Sequence, residues 1–281
     1  MYLTFADADS DRHTEQLASG VRRSWIATEE FGGSRAAQVS VITISPSTTY
    51  WFVSEDGRER ICVLVEGSAD LLIQNETMLI NEGAVIHSKT GSPFTIRTTE
   101  SIAHLLVLSE STPGATSTGD RQPEAVDVVS PVECFSLYDV KDEVLHEPQT
   151  GFFNMGTRML LNADKGGYQF FIFGQSSFAQ ANGVHAVHRH PATDEVFYVW
   201  EGEGAHLDGD GKQHPMRRGD AVFVPRNEWH GFRNIGDRSV RAFFCLIGTG
   251  VMQRAGNEVL RNDSAVNAFS VPPREEPDRP G

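Results

Sequence analysis

Gly183-Val-His185-Ala-Val-His188-Arg-His190-Pro-Ala-Thr-Asp-Glu195-Val-Phe-Tyr-Val-Trp-Glu-Gly202 is the stretch on which the reading of this chain turns. In an extended strand side chains alternate, so His188 and His190 point the same way. Glu195 follows after Pro191 and a short turn, where a neighbouring strand can return its carboxylate to the same pocket. A second stretch, Gly219-Asp-Ala-Val-Phe-Val-Pro225-Arg-Asn-Glu-Trp-His230-Gly-Phe-Arg-Asn234, sets His230 at the start of a further strand after a Pro-containing turn. Three imidazoles and one carboxylate converging inside a barrel make a divalent metal site. Such donors suit Fe(II), Mn(II), Ni(II), Co(II) or Zn(II), with no soft sulfur ligand among them.

Outward from this window the chain reads as short β-type runs separated by Gly, Asp and Pro turns. Val39–Ile44, Ile61–Val65, Ala69–Ile73, His104–Leu108, Tyr168–Phe173, Val196–Trp200 and Ala221–Val224 are examples. Helical periodicity is modest and confined to residues 11–19 and 251–261. Evenly spaced short strands predict an all-β sandwich, jelly roll or barrel. The halves repeat: Val63-Leu-Val-Glu66-Gly67 matches Tyr198-Val-Trp-Glu201-Gly202, and Glu82-Gly83-Ala84-Val85 matches Arg218-Gly219-Asp220-Ala221-Val222. Gly67 and Gly202 lie 135 positions apart, and Gly83 and Gly219 lie 136 apart. One β-domain used twice is the expectation. The division is residues 1–38 as an amino-terminal arm, 39–110 as a first barrel, 111–135 as a polar linker, 136–262 as a metal-binding barrel and 263–281 as a flexible tail.

The 281 residues carry 24 Lys plus Arg against 38 Asp plus Glu, a formal charge of −14. That balance argues against nucleic acid and against anionic membrane as partners. No run approaches the length of an apolar transmembrane span, and the start lacks a signal peptide's features, so a cytoplasmic location is expected. Cys62, Cys134 and Cys245 are too few and too scattered for a disulfide framework or a thiolate zinc site, and read as small hydrophobes.

The two quoted stretches resemble the paired motifs of the cupin superfamily, Gly-x5-His-x-His-x3–4-Glu-x6-Gly followed by Gly-x5-Pro-x-Gly-x2-His-x3-Asn. The run from His188 to Gly202 fits, as do Gly219, Pro225, His230 and Asn234. Gly183 stands one residue too close to His188, and Asn227 replaces the usual Gly. The resemblance implies two tandem jelly-roll β-barrels with short helices, a bicupin, with metal ligands His188, His190, Glu195 and His230. Shifted by the repeat offset, these positions fall on Val53, Glu55, Arg60 and Phe94. The first barrel is therefore expected to lack the metal. Packing, dimerisation or shaping of the entry is its expected work, with a metal-free binding pocket as the other reading.

Positions sharing inward parity with the ligands are candidates for a substrate wall. Phe197 and Phe232 qualify directly. Phe171 and Phe173 with Gln169 and Gln175, or the alternate set Phe170 and Ile172, belong to the strand before the motif. Ordinary barrel core is the competing reading for all of them. His185 and Asn234 are candidates to support the ligands from behind. Arg189 is expected at solvent or an interface, His206 and His214 at an exposed turn, and Asp194, Glu201 and Glu203 in solvent.

The expected function is that of a mononuclear non-haem metal enzyme. Its leading form is an Fe(II) dioxygenase acting with O₂ on a small oxygenated substrate, possessing one divalent metal per chain and assembling as a homodimer. A redox-neutral isomerase, cyclase, lyase or decarboxylase, with His185 or Glu228 as base, is the alternative. A non-catalytic small-molecule binder is the third reading.

Overall fold

The computed structural model describes residues 4–6, 13–28, 33–34, 36–53, 58–89, 92–110, 132–165, 170–180 and 183–260. Gln169, Glu55, most of the expected linker and the whole expected tail lie outside them. Two antiparallel barrels follow one another, as the repeat requires. In the first, the strands Val132–Ser136, Ala84–Ser88, Arg60–Ile73, Ala103–Glu110, Ala37–Ile44, Val21–Ala27 and Thr14–Ala18 lie side by side in that order. The long strand Arg60–Ile73 runs on to pair with Glu76–Asn81 and Phe94–Arg97, and the latter pairs with Thr49–Phe52. Sharing that strand closes the barrel.

Its uninterrupted apolar run is explained by burial on both faces. Cys62 and Leu64 point into the first barrel with Ile42, Phe52, Phe94, Ile96 and Leu105. Ile61, Val63 and Val65 point the other way, into a core shared with Phe173, Val196, Tyr198, Trp200, Phe223 and Phe243 of the second barrel. The Trp200 indole N–H donates to Val65 O across this junction at 2.9 Å. The strand Thr4–Ala6 crosses over to pair with Ala221–Val224 of the second barrel.

In the second barrel the strands Ala221–Val224, Asp194–Glu201, Val240–Ile247, Phe171–Phe178 and Phe152–Leu161 form the wall against its partner. Val184–Arg189, His230–Asn234, Glu203–Asp208 and Gln213–Arg217 continue the sheet around the interior. The repeat holds at the level of register. His185 and His206 both face Phe232, and the offset places Tyr50 and Leu71 opposite Ile96. Gly67 and Gly202 both turn with positive φ, 93° and 83°. A Cβ at Gly67 would sit 2.0 Å from Ile102 O, so that turn needs glycine.

Three expectations from sequence are corrected here. Residues 14–18 of the expected helix form a strand, because Gly20 (φ 76°) turns the chain straight into a hairpin with Val21–Ala27. Around 251–261 only Met252–Ala255 is helical; Gly256 stops it in a positive-φ conformation, and Glu258–Val259 then pairs with Val184–Arg189. Val132–Ser136, assigned almost wholly to the linker, is a strand of the first sheet, and Thr14–Ala18 and Val21–Ala27 within the expected arm are strands of it too. Short runs flanked by Pro or Gly carry too little periodicity to reveal such pairing. Among the described residues no helix is long and apolar enough to cross a membrane.

Candidate metal centre

His188, His190, Glu195 and His230 meet inside the second barrel, one ligand atom of each lying within 4.8 Å of the others. All four are buried. His188 and His230 are direct cross-strand partners on adjacent strands. His190 follows the end of its strand, and Glu195 enters from the opposite wall on Asp194–Glu201. The turn before His230 is tied to the first motif, since Asn227 N donates to His190 O at 2.8 Å. Asn227 adopts φ 67° there. Asn is among the few non-glycine residues that take that conformation readily, which explains how it stands where the motif usually has Gly.

The hydrogen bonds behind the imidazoles fix what they present. Nδ1 of His188, His190 and His230 donates to Ala186 O (2.8 Å), Gly256 O (2.6 Å) and Glu228 O (2.9 Å). With Nδ1 protonated, a neutral ring carries its lone pair on Nε2. Those lone pairs face a carboxylate oxygen, with His230 Nε2 at 2.8 Å and His190 Nε2 at 3.4 Å from Glu195 Oε2. His188 Nε2 is buried with no hydrogen-bond partner. Lone pairs set against an anion are stable only with a cation among them, either protons on the rings or a metal ion. The donor set, the orphaned nitrogen and the fixed tautomers therefore fit a divalent cation. Burial, reinforced by His185, His230 and His190, holds the His188 pKa well below the usual imidazole range. Burial would raise Glu195, but His230 and His190 outweigh it and keep the carboxylate ionised.

Two further imidazoles flank the cluster. His185 stacks on His188 with ring centroids 3.7 Å apart and on Phe152 at 4.5 Å. His206 lies parallel to His230 at 5.9 Å and is 1% exposed, which corrects the expectation of an exposed turn residue. It belongs to the strand Glu203–Asp208, whose alternation turns it inward, and only the tip of the hairpin beyond it is exposed. Burial depresses the pKa of both rings to about 3. His214 pairs with Asp208 at 3.1 Å, and Asp208 is buried.

Residues 178–247 match the family described as Cupin domain. The second barrel therefore carries a cupin domain. The fold of the chain resembles an oxalate decarboxylase from Lactobacillus farciminis, in a formate complex, with TM-score 0.64 and 14% identity over 89% of this chain and 86% of that one. A mutant of Bacillus subtilis oxalate decarboxylase superimposes with TM-score 0.62 and 15% identity, over 89% of this chain and 78% of that one. At such identity the likeness speaks for the fold. Among curated relatives, "Polyketide synthase CurC" of Streptomyces cyaneus is 32% identical over 99 residues. "Protein SchB" of Streptomyces halstedii is 39% identical over 59. These matches take in 34% and 21% of this chain and span 64% and 42% of the relatives' own length.

The interior of the second barrel takes in some of the residues expected for a wall and leaves others out. Phe197 and Phe232 face inward and pack together at 4.6 Å, with Phe178 against both. Phe171 and Phe173 do not line the site; they belong to the core between the barrels. Gln175 shares their face, is fully buried and accepts from Arg158 at 2.7 Å. The inward set on that strand is the even one, Ile172 and Phe178, because the odd face is taken up by the junction. Parity alone does not say which face of a doubly buried strand is which. Phe178, missed from sequence, shows the inward alternation only once Ile172 is placed.

Asn234 does not stand behind a ligand. Its side chain donates to Phe178 O, Ala179 O and Arg238 O and accepts from Gly236 N. The offset counterpart Thr98 donates its hydroxyl proton to Ser45 O and accepts from Thr48 N, so both barrels use this position to clamp loops. Asp194 is buried rather than solvated, accepting from Ser34 Oγ and Arg226 N at 2.9 Å each. Arg189 lies at the surface, paired with Glu258 and stacked over Trp229.

Proposed function

We propose that this chain is a bicupin and a mononuclear divalent-metal enzyme that acts on a small, oxygen-rich organic substrate in its second barrel. The observation that carries the reading is the convergence of three Nε2 lone pairs and one carboxylate, each imidazole oriented by a backbone carbonyl. A bound metal would supply Lewis acidity toward a carbonyl or enolate oxygen and, as Fe(II), reducing equivalents toward O₂. The chain's own residues set the rest. Phe178, Phe197 and Phe232 make one side of the interior apolar and exclude water from it. His185 and His206 remain uncharged beside the cluster and offer imidazole hydrogen-bonding groups to a substrate oxygen.

We favour the redox-neutral branch over the dioxygenase. The printed names among the similar proteins, a polyketide synthase and decarboxylases, point to substrates rich in carbonyl or carboxylate oxygens. The test is turnover of a panel of β-diketones, enols, diols and keto acids by protein loaded with Fe(II), Mn(II) or Zn(II), with and without O₂. Metal-dependent turnover that persists under strict anaerobiosis supports this branch. Turnover coupled to O₂ consumption moves the protein to the dioxygenase branch, and turnover indifferent to metal overturns the reading.

A further inference from the structure

The first barrel holds a cation of its own where the second assembles its cluster. Arg60 occupies the inward position that the repeat assigns to Glu195, and Phe94 that of His230. The Arg60 Nε donates to Ser109 Oγ at 3.2 Å and Nη2 donates to Val53 O at 3.1 Å. Both acceptors are neutral. The guanidinium carbon lies 5.7 Å from the centre of the Phe52 ring, which is itself stacked on Phe94 at 4.6 Å. Nη1 is buried with no hydrogen-bond partner. No carboxylate among the described residues forms an ion pair with Arg60.

An uncompensated guanidinium in an apolar barrel is costly, and Arg cannot escape by losing its proton. Burial lowers the Arg60 pKa, and Arg23, held by Glu15 at 2.9 Å, adds further positive charge nearby. A planar fork with one unsatisfied arm is matched by a carboxylate, which takes two parallel N–H donors. Phe52 and Phe94 offer an apolar wall beside it.

We propose that the first barrel binds a small organic carboxylate at Arg60, the guanidinium supplying the positive charge that a metal would supply in the second barrel. This inference stands on the first barrel alone and does not depend on the reaction assigned to the second.

The test uses the full chain, stripped of metal and ¹⁵N-labelled, titrated with acetate and with benzoate against chloride and sulfate at matched ionic strength. The expected result is a saturable carboxylate-induced shift of one Arg Nε–Hε resonance together with a rise in Tm. Both persist in His188→Ala, vanish in Arg60→Met and weaken about tenfold or more in Arg60→Lys, which keeps the charge but not the fork. If Arg60→Met fails to fold, Arg60→Lys decides. Absence of saturable binding, equal binding by Arg60→Lys, or binding lost in His188→Ala would overturn the proposal. So would sulfate binding as well as the carboxylates, since the site would then be a general anion site.

Discussion

The two barrels share register, turn glycines and loop clamps, and differ in what fills their interiors. Where the second places His185, His206, Glu195 and His230, the first places Tyr50, Leu71, Arg60 and Phe94. The polar set costs stability unless every member is partnered, whereas Tyr50, Leu71 and Phe94 stabilise their barrel by burial and Arg60 carries the one charge among them. The comparison separates residues kept for the architecture from residues kept for chemistry. Gly67 and Gly202, or Thr98 and Asn234, recur in both barrels and are architectural. The clustered histidines His185, His188, His190, His206 and His230 occur in the second barrel only.

The largest expected effects break the architecture itself. Phe173→Ala, in the core between the barrels, should lower unfolding stability by about 3–5 kcal/mol, as should Phe94→Ala inside the first barrel. Urea denaturation followed by tryptophan fluorescence measures both. A cost below about 1 kcal/mol for Phe173→Ala would mean that the barrels do not share a core. Next comes acid sensitivity, which belongs to the second barrel. The His206 pKa is about 3 in the folded chain, below its ordinary value of roughly 6.5 when unfolded. The unfolded chain therefore binds more protons below that ordinary value. Stability from this group is fully present above pH of about 6.5 and falls as pH drops towards 3, on the order of 1 kcal/mol per pH unit. In metal-free protein, His206→Phe should flatten that slope; an unchanged slope would show that His206 is not buried neutral.

Smaller effects sharpen the junction and the turn. Trp200→Phe removes one hydrogen bond to Val65 O and should cost about 1 kcal/mol. Asn227→Gly should change stability by less than about 0.5 kcal/mol, because glycine takes the same positive φ without strain. A large loss there would show that the Asn227 side chain holds the turn through contacts of its own.

Much of this organisation was legible before any coordinates. Spacing within one window placed four donors on facing strands, and the offset between Gly67 and Gly202 placed the second copy. Other features depended on information that linear order does not hold. Phe171, Phe173 and Gln175 carry the right parity for a pocket, but their strand is buried on both faces and its outer face meets the other barrel. His206 sits close to a Gly-Asp turn that looks exposed, and only the pairing of its strand with His230–Asn234 turns it inward. Thr14–Ala18 pairs through a hairpin too short to show a period.

The central claim is that one barrel holds a single divalent metal through His188, His190, Glu195 and His230 while the other holds none. Metal content per chain, measured after Mn(II) or Fe(II) loading and desalting, tests it most directly in the wild type beside His188→Ala and His230→Ala. The account predicts about one metal per chain in the wild type and near none in either variant. Retention of metal by both variants, or a folded wild type that takes up none, would contradict it.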